Sequence, residues 1–339
     1  MPDATIRFLQ QEDVIDAGVL NMKETIADIE EVLTLLSNGH VLNPAKTSIQ
    51  VPSDDDPQGW RFFNSMPTYV GGNIRRAGVK WACEHGKNVG RGIPMGIDIL
   101  VLSDPDTVLP VAVMDATLIT AMRTAANAGV AVKYLANPSS EDFAVLGAGV
   151  IGRTLLMALN ELDFDYHEIR LYDLLRDKAS ALAEEFPSLP VVVTDSGEEA
   201  IRGADVAITA TTAHRPIVQE EWLDRHTLLV QLSKNEFPRQ TVLDVDVISV
   251  DDWDQMITKS GSSFQEHYEE GRLTRDDVVI LSDVVAGNTP GRTDEGQRIM
   301  HFSRGLGCQD VMIGERIYRR ALESDMGKIV RLWDSPKWV

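Results

Sequence analysis

Two patterns of apolar and polar residues divide this chain. In residues 126–304, short apolar runs alternate with segments in which apolar residues recur every three or four positions. The runs lie at 143–146, 168–172, 191–193, 206–209, 228–232 and 247–250. Strands that alternate with helices in this way are typical of an α/β domain with a parallel, doubly wound sheet. In the same region we expect a helix and connector over 253–275 and a Gly/Pro loop over 282–298.

The flanking segments have a different pattern. A helix is predicted over 22–37, and strand-like runs follow at 61–65, 78–83, 96–103 and 109–114. Residues 53–59 are predicted to form a solvated loop, and residues 104–107 a hairpin turn. A helix over 115–136 should join this N-terminal segment to the α/β region. A last helix over 308–323 should return to the N-terminal segment. We expect an α+β domain of residues 1–125 and 305–339 around an α/β domain of residues 126–304.

A glycine motif lies where the first α/β strand meets its helix. The run 143–146 is followed by Gly147-Ala148-Gly149-Val150-Ile151-Gly152, and a helix is predicted over 154–162. Gly147 permits a tight turn, Gly149 lets backbone N–H groups approach a pyrophosphate, and Gly152 lets the helix pack against the strand. The helix N-terminus adds positive potential. We predict a Rossmann domain that binds a nicotinamide dinucleotide at 147 and 149–152; the alternative is a glycine turn without a ligand.

The acid that follows the second strand bears on the choice of cofactor. Asp173 comes roughly 20 residues after Gly152, near the position from which an acid binds the adenosine ribose. A carboxylate there would repel a 2′-phosphate and so favours NAD. Arg176 lies nearby and keeps NADP open.

Polar residues follow two later strands of the predicted sheet. Because doubly wound sheets bind ligands at the carboxyl ends of their strands, Thr211 and Thr212 are candidates for the nicotinamide ribose, and a plain strand end is the alternative. Ser233 is assigned to the same end of the cofactor. Glu236 would lie beside the nicotinamide as a general base or as a group that orients an amine. Its alternative is an exposed loop residue.

Two cations in apolar surroundings are candidates for substrate binding. Lys80 lies inside an apolar strand, where it must face a solvated cleft or pair with an anion, since unpaired burial is costly. Such an ammonium can bind a carboxylate or, with a lowered pKa, exchange protons with an amine. Arg123 in the joining helix needs a partner, either a substrate carboxylate or an internal acid. Lys46 and Arg61 are weaker candidates for the same substrate-binding role as Lys80.

Composition excludes several other functions. The 339 residues carry a formal net charge of −20, so nucleic acid and anionic membranes are unfavourable partners. The two cysteines, Cys83 and Cys308, form neither a disulfide framework nor a metal-ligand motif, and we predict no metal site. Residues 1–14 lack a basic region followed by an apolar core, and no apolar run approaches the ~18 residues of a membrane span. We expect a cytoplasmic protein.

Several segments together resemble the ornithine cyclodeaminase/μ-crystallin family. They occur in family order over nearly the whole chain. The segments are Met66-Pro67 with Gly71-Gly72, 78–81, Lys87-Asn88, 118–126, 147–152, 284–292 and 307–310. The complete glycine motif and the run 67–81 are most similar to the family's N-(2-amino-2-carboxyethyl)-glutamate dehydrogenases.

The resemblance implies a homodimer that acts on an amino or imino acid with NAD(H) or NADP(H). It places Lys80 and Arg123 at the substrate, with Arg123 as the carboxylate clamp and Lys46 near a further basic position. Within the matching segments we assign Met66 to the substrate and Thr124 to the cofactor. Where the cyclodeaminases have a catalytic aspartate, this chain has Glu236. This difference weakens the prediction of cyclodeaminase activity.

We therefore expect an NAD-dependent amino-acid dehydrogenase or imine reductase, with hydride transfer between the nicotinamide and the substrate α-carbon. Lys80 and Glu236 are its expected proton-handling residues. The first alternative is an ornithine or lysine cyclodeaminase that recycles its hydride on NAD and releases ammonia. The second is a μ-crystallin-like protein that binds NAD(P)H and a small acid without turnover.

Overall fold

A computed structural model describes residues 4–53, 56–213, 215–258 and 261–338 of the chain. The chain divides into two compact units. Unit 1 comprises residues 1–123 and 306–339, and unit 2 comprises residues 124–305. Within the described ranges, no helix has the length and apolar character needed to span a membrane.

The strands of the described ranges are, in chain order, β1 (Thr5–Leu9), β2 (Val41–Leu42), β3 (Thr47–Ser53), β4 (Asp56–Val70), β5 (Arg76–His85), β6 (Gly96–Ser103), β7 (Pro110–Asp115), β8 (Asp142–Leu146), β9 (Glu168–Tyr172), β10 (Val191–Val193), β11 (Val206–Thr209), β12 (Leu228–Gln231), β13 (Val247–Val250), β14 (Val278–Ile280), β15 (Ile299–Phe302) and β16 (Lys328–Arg331). The α-helices are α1 (Gln11–Asp16), α2 (Met22–Ser37), α3 (Thr117–Leu135), α4 (Val150–Asn160), α5 (Arg176–Glu184), α6 (Gly197–Ile201), α7 (Thr241–Asp244), α8 (Trp253–Ile257), α9 (Ser263–Glu269), α10 (Leu281–Val285) and α11 (Gly307–Glu323).

Unit 1 is built on a mostly antiparallel sheet. Its strand order is β16-β1-β7-β6-β5-β4-β2, and β3 pairs with β4. Only the β1–β7 pair is parallel among the described strands of this sheet. In β6, Asp98, Leu100 and Leu102 are buried while Ile97 and Ile99 are exposed, which is the period-two alternation of a sheet covered on one face.

Helix α11 covers the inner face of this sheet, against β4, β5 and β6. Small residues let it approach closely: a Cβ added to Gly314 would lie 2.2 Å from a methyl carbon of Leu100, and one on Gly307 would lie 2.9 Å from the Met66 carbonyl oxygen. Residues of the first turns of α11 are therefore pressed against the middle of the sheet.

Unit 2 contains the predicted doubly wound sheet, which is confirmed. All of its neighbouring strands are parallel, in the order β10-β9-β8-β11-β12-β15-β13-β14. The order reverses between β8 and β11, and ligands bind at the carboxyl ends of the strands beside such a reversal. The central strands β8, β11 and β12 are buried almost throughout, as their apolar runs indicated, whereas Val192 of the edge strand β10 is 45% exposed.

Several local predictions were wrong. The loop predicted over 53–59 is largely strand: β3 reaches Ser53 and β4 begins at Asp56, while residues 54 and 55 lie outside the described residues. The loop predicted over 282–298 begins with the helix α10. The region predicted over 253–275 as a helix and connector contains two short helices, α8 and α9. Helix α4 begins at Val150, not at residue 154, because the glycine motif itself forms its first turn.

Candidate functional site

Lys80 lies at the centre of the inner face of the unit 1 sheet. It pairs in register with Met66 of β4 and Leu100 of β6, and it is only 1% exposed. Its Nζ donates to Asp310 Oδ1 at 2.9 Å and to Thr120 Oγ1 at 3.0 Å. Of the two alternatives for Lys80, a solvated cleft or an anion, the structure shows an anion, Asp310. Asp310 lies in the first turn of α11, where the helix dipole stabilises a carboxylate.

Asp310 binds the second candidate cation as well. The Arg123 Nε lies 3.4 Å from the same oxygen, Oδ1, and Arg123 is 8% exposed. The other oxygen, Oδ2, is buried and has no hydrogen-bond partner among the described residues. Two cations therefore share one oxygen of this carboxylate, and the buried carboxylate of Asp98 also acts on Lys80.

The surroundings of Lys80 make its proton easier to lose. Burial lowers the pKa of Lys80, and the charge of Arg123 lowers it further, against the opposing effect of Asp310 and Asp98. A lysine with a lowered pKa is more readily neutral, and the neutral amine can take a proton from a substrate ammonium.

Sequence reasoning missed Asp98 and Asp310. Asp98 is 3% exposed and accepts a hydrogen bond from Thr120 through Oδ2. The available signal for Asp98 was its place in the run Ile97-Asp98-Ile99-Leu100, where it alternates with outward apolar residues. Asp310 gave a weaker signal, because the burial of the first turns of α11 is a result of tertiary packing.

The other predicted substrate residues lie on the same part of the sheet or before it. Met66 is 5% exposed and directly opposite Lys80 in the β4–β5 register. Arg61 is half-buried in β4, and Lys46 is half-buried just before β3. The structure brings Met66, Lys80 and Arg123 together in the inner part of unit 1.

In unit 2 the glycine motif forms the turn from β8 into α4. Gly147 has φ +113°, and a Cβ there would lie 2.4 Å from the Ala210 carbonyl oxygen. A Cβ on Gly152 would lie 2.0 Å from the Gly147 carbonyl oxygen, so the turn and helix are in direct backbone contact. At Gly149 a Cβ would meet nothing within 4 Å.

The N-terminus of α4 is open. No side chain of the described residues caps it, and Gly149 is its N-cap residue. The N–H groups of the first turn, at Val150, Ile151 and Gly152, lack partners within the helix and point out of its end. The turn therefore fits a pyrophosphate, which needs N–H donors and room for close approach.

Asp173 is fixed against this turn at the end of β9. Its Oδ2 accepts a hydrogen bond from the Ala148 N–H at 2.8 Å, and its Oδ1 accepts one from the Leu175 N–H at 2.8 Å. Each carboxylate oxygen can accept a further bond, as a ribose diol requires. Arg176 forms an ion pair with Asp195.

Glu236 is not the exposed loop residue that the sequence left open. It is fully buried, and its oxygens accept hydrogen bonds from the Thr209 hydroxyl at 2.7 Å, from the Thr211 hydroxyl and N–H at 2.6 and 2.8 Å, and from the Ser233 N–H at 3.3 Å. Burial raises the pKa of Glu236 despite these bonds. Its carboxylate ties the end of β11 to the end of β12.

The remaining cofactor candidates lie around this junction or on α3. Thr211 is half-buried, Thr212 is exposed just after it, and Thr124 is half-buried in α3. The Ser233 carbonyl accepts a bond from Arg304 Nη1 at 3.4 Å. Arg304, which sequence reasoning missed, follows β15, and burial lowers its pKa to about 10.

Comparison with known proteins identifies the family. The profile of the Ornithine cyclodeaminase/mu-crystallin family matches residues 6–325. N-((2S)-2-amino-2-carboxyethyl)-L-glutamate dehydrogenase of Staphylococcus aureus is 26% identical over 336 residues, which cover 96% of this chain and 98% of the relative. The structure of Delta(1)-pyrroline-2-carboxylate reductase of Thermococcus litoralis, in complex with NADH and L-proline, matches with a TM-score of 0.86 and 29% identity over 95% of this chain and 99% of that one.

An archaeal alanine dehydrogenase dimer with bound NAD matches with a TM-score of 0.85 and 28% identity, over 97% of this chain and 100% of that one. The resemblance found in the sequence segments is confirmed by the match of the family profile over nearly the whole chain. This chain belongs to the ornithine cyclodeaminase/mu-crystallin family.

Proposed function

We propose that the protein is an NAD-dependent amino-acid dehydrogenase or imine reductase, which acts on the bond between an α-carbon and its nitrogen. The observation that carries the proposal is the buried group of Lys80 and Arg123 on one carboxylate, in a chain whose other unit has an open dinucleotide turn. A substrate with a carboxylate and an amine matches the charges of this group. The similar proteins named above are dehydrogenases and a reductase of such compounds.

The cofactor would be held entirely by unit 2. The first-turn N–H groups of Val150, Ile151 and Gly152 would bind the pyrophosphate, and the absence of a side chain at Gly149 would leave room for it. Asp173 would accept the ribose hydroxyls, and its carboxylate favours NAD over NADP, since Arg176 is paired with Asp195. Thr124, Thr211, Thr212 and Ser233 are proposed for the nicotinamide end. The dinucleotide, when bound, supplies the hydride chemistry.

The substrate would be held by unit 1. Arg123 would bind the α-carboxylate, and Lys80 would exchange a proton with the nitrogen. Met66 would pack against the substrate, while Lys46 and Arg61 are proposed to bind a further polar group of it. For Glu236 we propose a positioning role in place of the proton transfer expected from the sequence. Its oxygens accept four hydrogen bonds, which hold Thr209, Thr211 and Ser233 in place.

We also propose that two copies associate through the outer face of the unit 1 sheet. Trp81, Ile97 and Ile99 are 41%, 41% and 45% exposed on adjoining strands, and Phe63 stacks on Trp81 with ring centroids 6.0 Å apart. A contiguous apolar sheet face of this kind marks an interface. A reducing cytoplasm is the proposed location, because both cysteines are thiols.

The test is a panel of amino and imino acids with NAD+ or NADH, followed by nicotinamide absorbance. The wild-type protein should produce NADH from an amino acid or consume it with an imine. Lys80→Met should lose turnover by at least about 100-fold, the scale of general acid–base catalysis, and still bind NADH, measured by nicotinamide fluorescence. Ammonia release without a net change in NADH would contradict the proposal and indicate a cyclodeaminase; tight binding of NADH with no turnover on any substrate would indicate a binding protein.

A further inference from the structure

A second hydrogen-bonded path starts at Lys80, in addition to its bond with Asp310. Lys80 Nζ donates to Thr120 Oγ1 at 3.0 Å, and the Thr120 hydroxyl donates in turn to Asp98 Oδ2. The other oxygen of Asp98, Oδ1, accepts from the Cys83 N–H at 3.2 Å. Lys80 and Asp98, at the two ends of the path, are 1% and 3% exposed.

The middle group of this path is suited to passing a proton on. A hydroxyl can accept a proton on its oxygen while it gives up its own, and here it already accepts from a cation and donates to a carboxylate. Asp310 differs, because its Oδ1 binds Lys80 directly and also binds Arg123. Asp310 is in direct contact with both cations, whereas Asp98 is hydrogen-bonded to Lys80 through Thr120.

The environment brings the two ends of the path closer in proton affinity. Burial and the charge of Arg123 lower the pKa of Lys80, whereas burial raises the pKa of Asp98. Opposite shifts of this kind reduce the free energy needed to move a proton from an ammonium to a carboxylate. The charged groups that act on the path are Arg123 from α3, Asp310 from α11 and Glu84 from β5.

We propose that Lys80, Thr120 and Asp98 form a proton relay that serves the C–N oxidation and reduction proposed above, on which this inference rests. In the relay, one Lys80 N–H bond breaks and its electron pair stays on Nζ. The proton goes to Thr120 Oγ1, and the original Thr120 proton goes to Asp98 Oδ2, so an ammonium and a carboxylate become an amine and a carboxylic acid. The neutral Lys80 then accepts the proton that the substrate ammonium loses. In the reductive direction each step runs backwards.

The relay assigns Thr120 and Asp98 as positioning and proton-storing residues that act through Lys80. Thr120→Val removes the hydroxyl, while Thr120→Ser keeps it, so the pair separates proton transfer from packing. Asp98→Asn keeps the shape and removes the proton acceptor. Thr227→Val and Asp28→Asn are matched controls at other buried positions: the Thr227 hydroxyl donates to the Ala204 carbonyl, and Asp28 pairs with Arg316.

The experiment measures kcat and kcat/KM against pH in the amine-oxidising direction. Thr120→Val and Asp98→Asn should lower kcat at least about tenfold, within the range of general acid–base catalysis. They should also move the acidic limb of kcat/KM to lower pH, because Lys80 loses groups that hold its proton. Thr120→Ser and both controls should keep the wild-type profile. A wild-type profile in Thr120→Val, or equal loss in Thr120→Ser, would overturn the relay.

A second measurement does not depend on turnover. Titration of the lysine side-chain nitrogens by ¹⁵N NMR, with Lys80→Met to assign the signal, should show a lower pKa of Lys80 in Asp98→Asn than in wild type, because the carboxylate of Asp98 raises the pKa of Lys80. An unchanged Lys80 pKa would overturn the relay. Failure of the proposed function would be seen differently, as wild-type protein that turns over no member of the substrate panel.

Discussion

At the residue scale, the candidate site in unit 1 is organised around one buried carboxylate, Asp310, which binds Lys80 and Arg123. The local pattern around Lys80, a lysine in an apolar strand, indicated either a solvated cleft or an anion as its partner. The identity of the anion could not be read from this pattern, since Asp310 is one of 52 acidic residues and lies 230 positions away along the chain. Only the packing of α11 on the sheet selects it. For the same reason the burial of Glu236 could not be deduced from its loop.

Two glycines of the dinucleotide turn should respond differently to alanine. In Gly152→Ala the new Cβ would meet backbone at 2.0 Å, so we expect unit 2 to be destabilised by about 2 kcal/mol or more. Gly149→Ala has open space around its Cβ, and its stability should stay within about 0.5 kcal/mol of wild type. That Cβ would nevertheless occupy the proposed phosphate position and raise the Kd for NAD at least about tenfold. Urea unfolding and calorimetric titration measure the two effects; wild-type affinity in Gly149→Ala would contradict the assignment.

At the scale of elements, local pattern predicted strands and helices better than their arrangement. The apolar runs from 143 to 250 and the helix α2 were found where the structure has them. The short strand β15 was missed, and with it the fact that a strand late in the chain lies between β12 and β13. Spatial order of this kind depends on long-range pairing and has no local signal.

The insertion of β15 creates a buried carboxylate junction with a measurable pH dependence. Asp251, after β13, accepts from Asn127 of α3 at 2.8 Å and from the Gly305 N–H at 3.0 Å. Burial alone would raise the pKa of Asp251, but His301, Asn127 and Gly305 outweigh it and lower the pKa to about 2.

Because the folded pKa lies below the unfolded value, Asp251 stabilises the fold above about pH 4, and this contribution is lost as the pH falls from 4 towards 2. The free energy of unfolding of wild type relative to Asp251→Asn should therefore fall by about 2 kcal/mol over that range. Urea unfolding at several pH values measures it. A difference that is constant with pH would contradict this role.

At the scale of the whole molecule, the outer face of the unit 1 sheet bears on association between copies. The chain has a net charge of −20, and this face nevertheless carries exposed Trp81, Ile97 and Ile99. The net charge follows from the composition, and the family resemblance implied a dimer. The sequence alone could not locate the apolar face, because the face depends on the register of β5 against β6, which places Trp81 opposite Ile99.

A charge on this face should separate the subunits without unfolding them. Ile99→Glu would place a carboxylate in the proposed interface, where burial of an unpaired charge is costly. We expect light scattering to give the monomer mass of 37.5 kDa for this variant and twice that mass for wild type. Leu174→Glu, at a residue 89% exposed in unit 2, is the control and should remain dimeric. Monomeric wild-type protein would contradict the proposed interface.

The alternation along β5 has a consequence for how activity depends on protein concentration. Lys80 and Trp81 are consecutive residues whose side chains leave the strand on opposite faces, one towards Asp310 and the other towards solvent. A partner bound over Trp81 would restrain the same backbone that holds the Lys80 ammonium in place. By thermodynamic linkage, substrate binding at Lys80 would then strengthen subunit association, and association would tighten substrate binding by an equal factor. Specific activity should accordingly fall on dilution below the dimer dissociation constant and recover when substrate is raised.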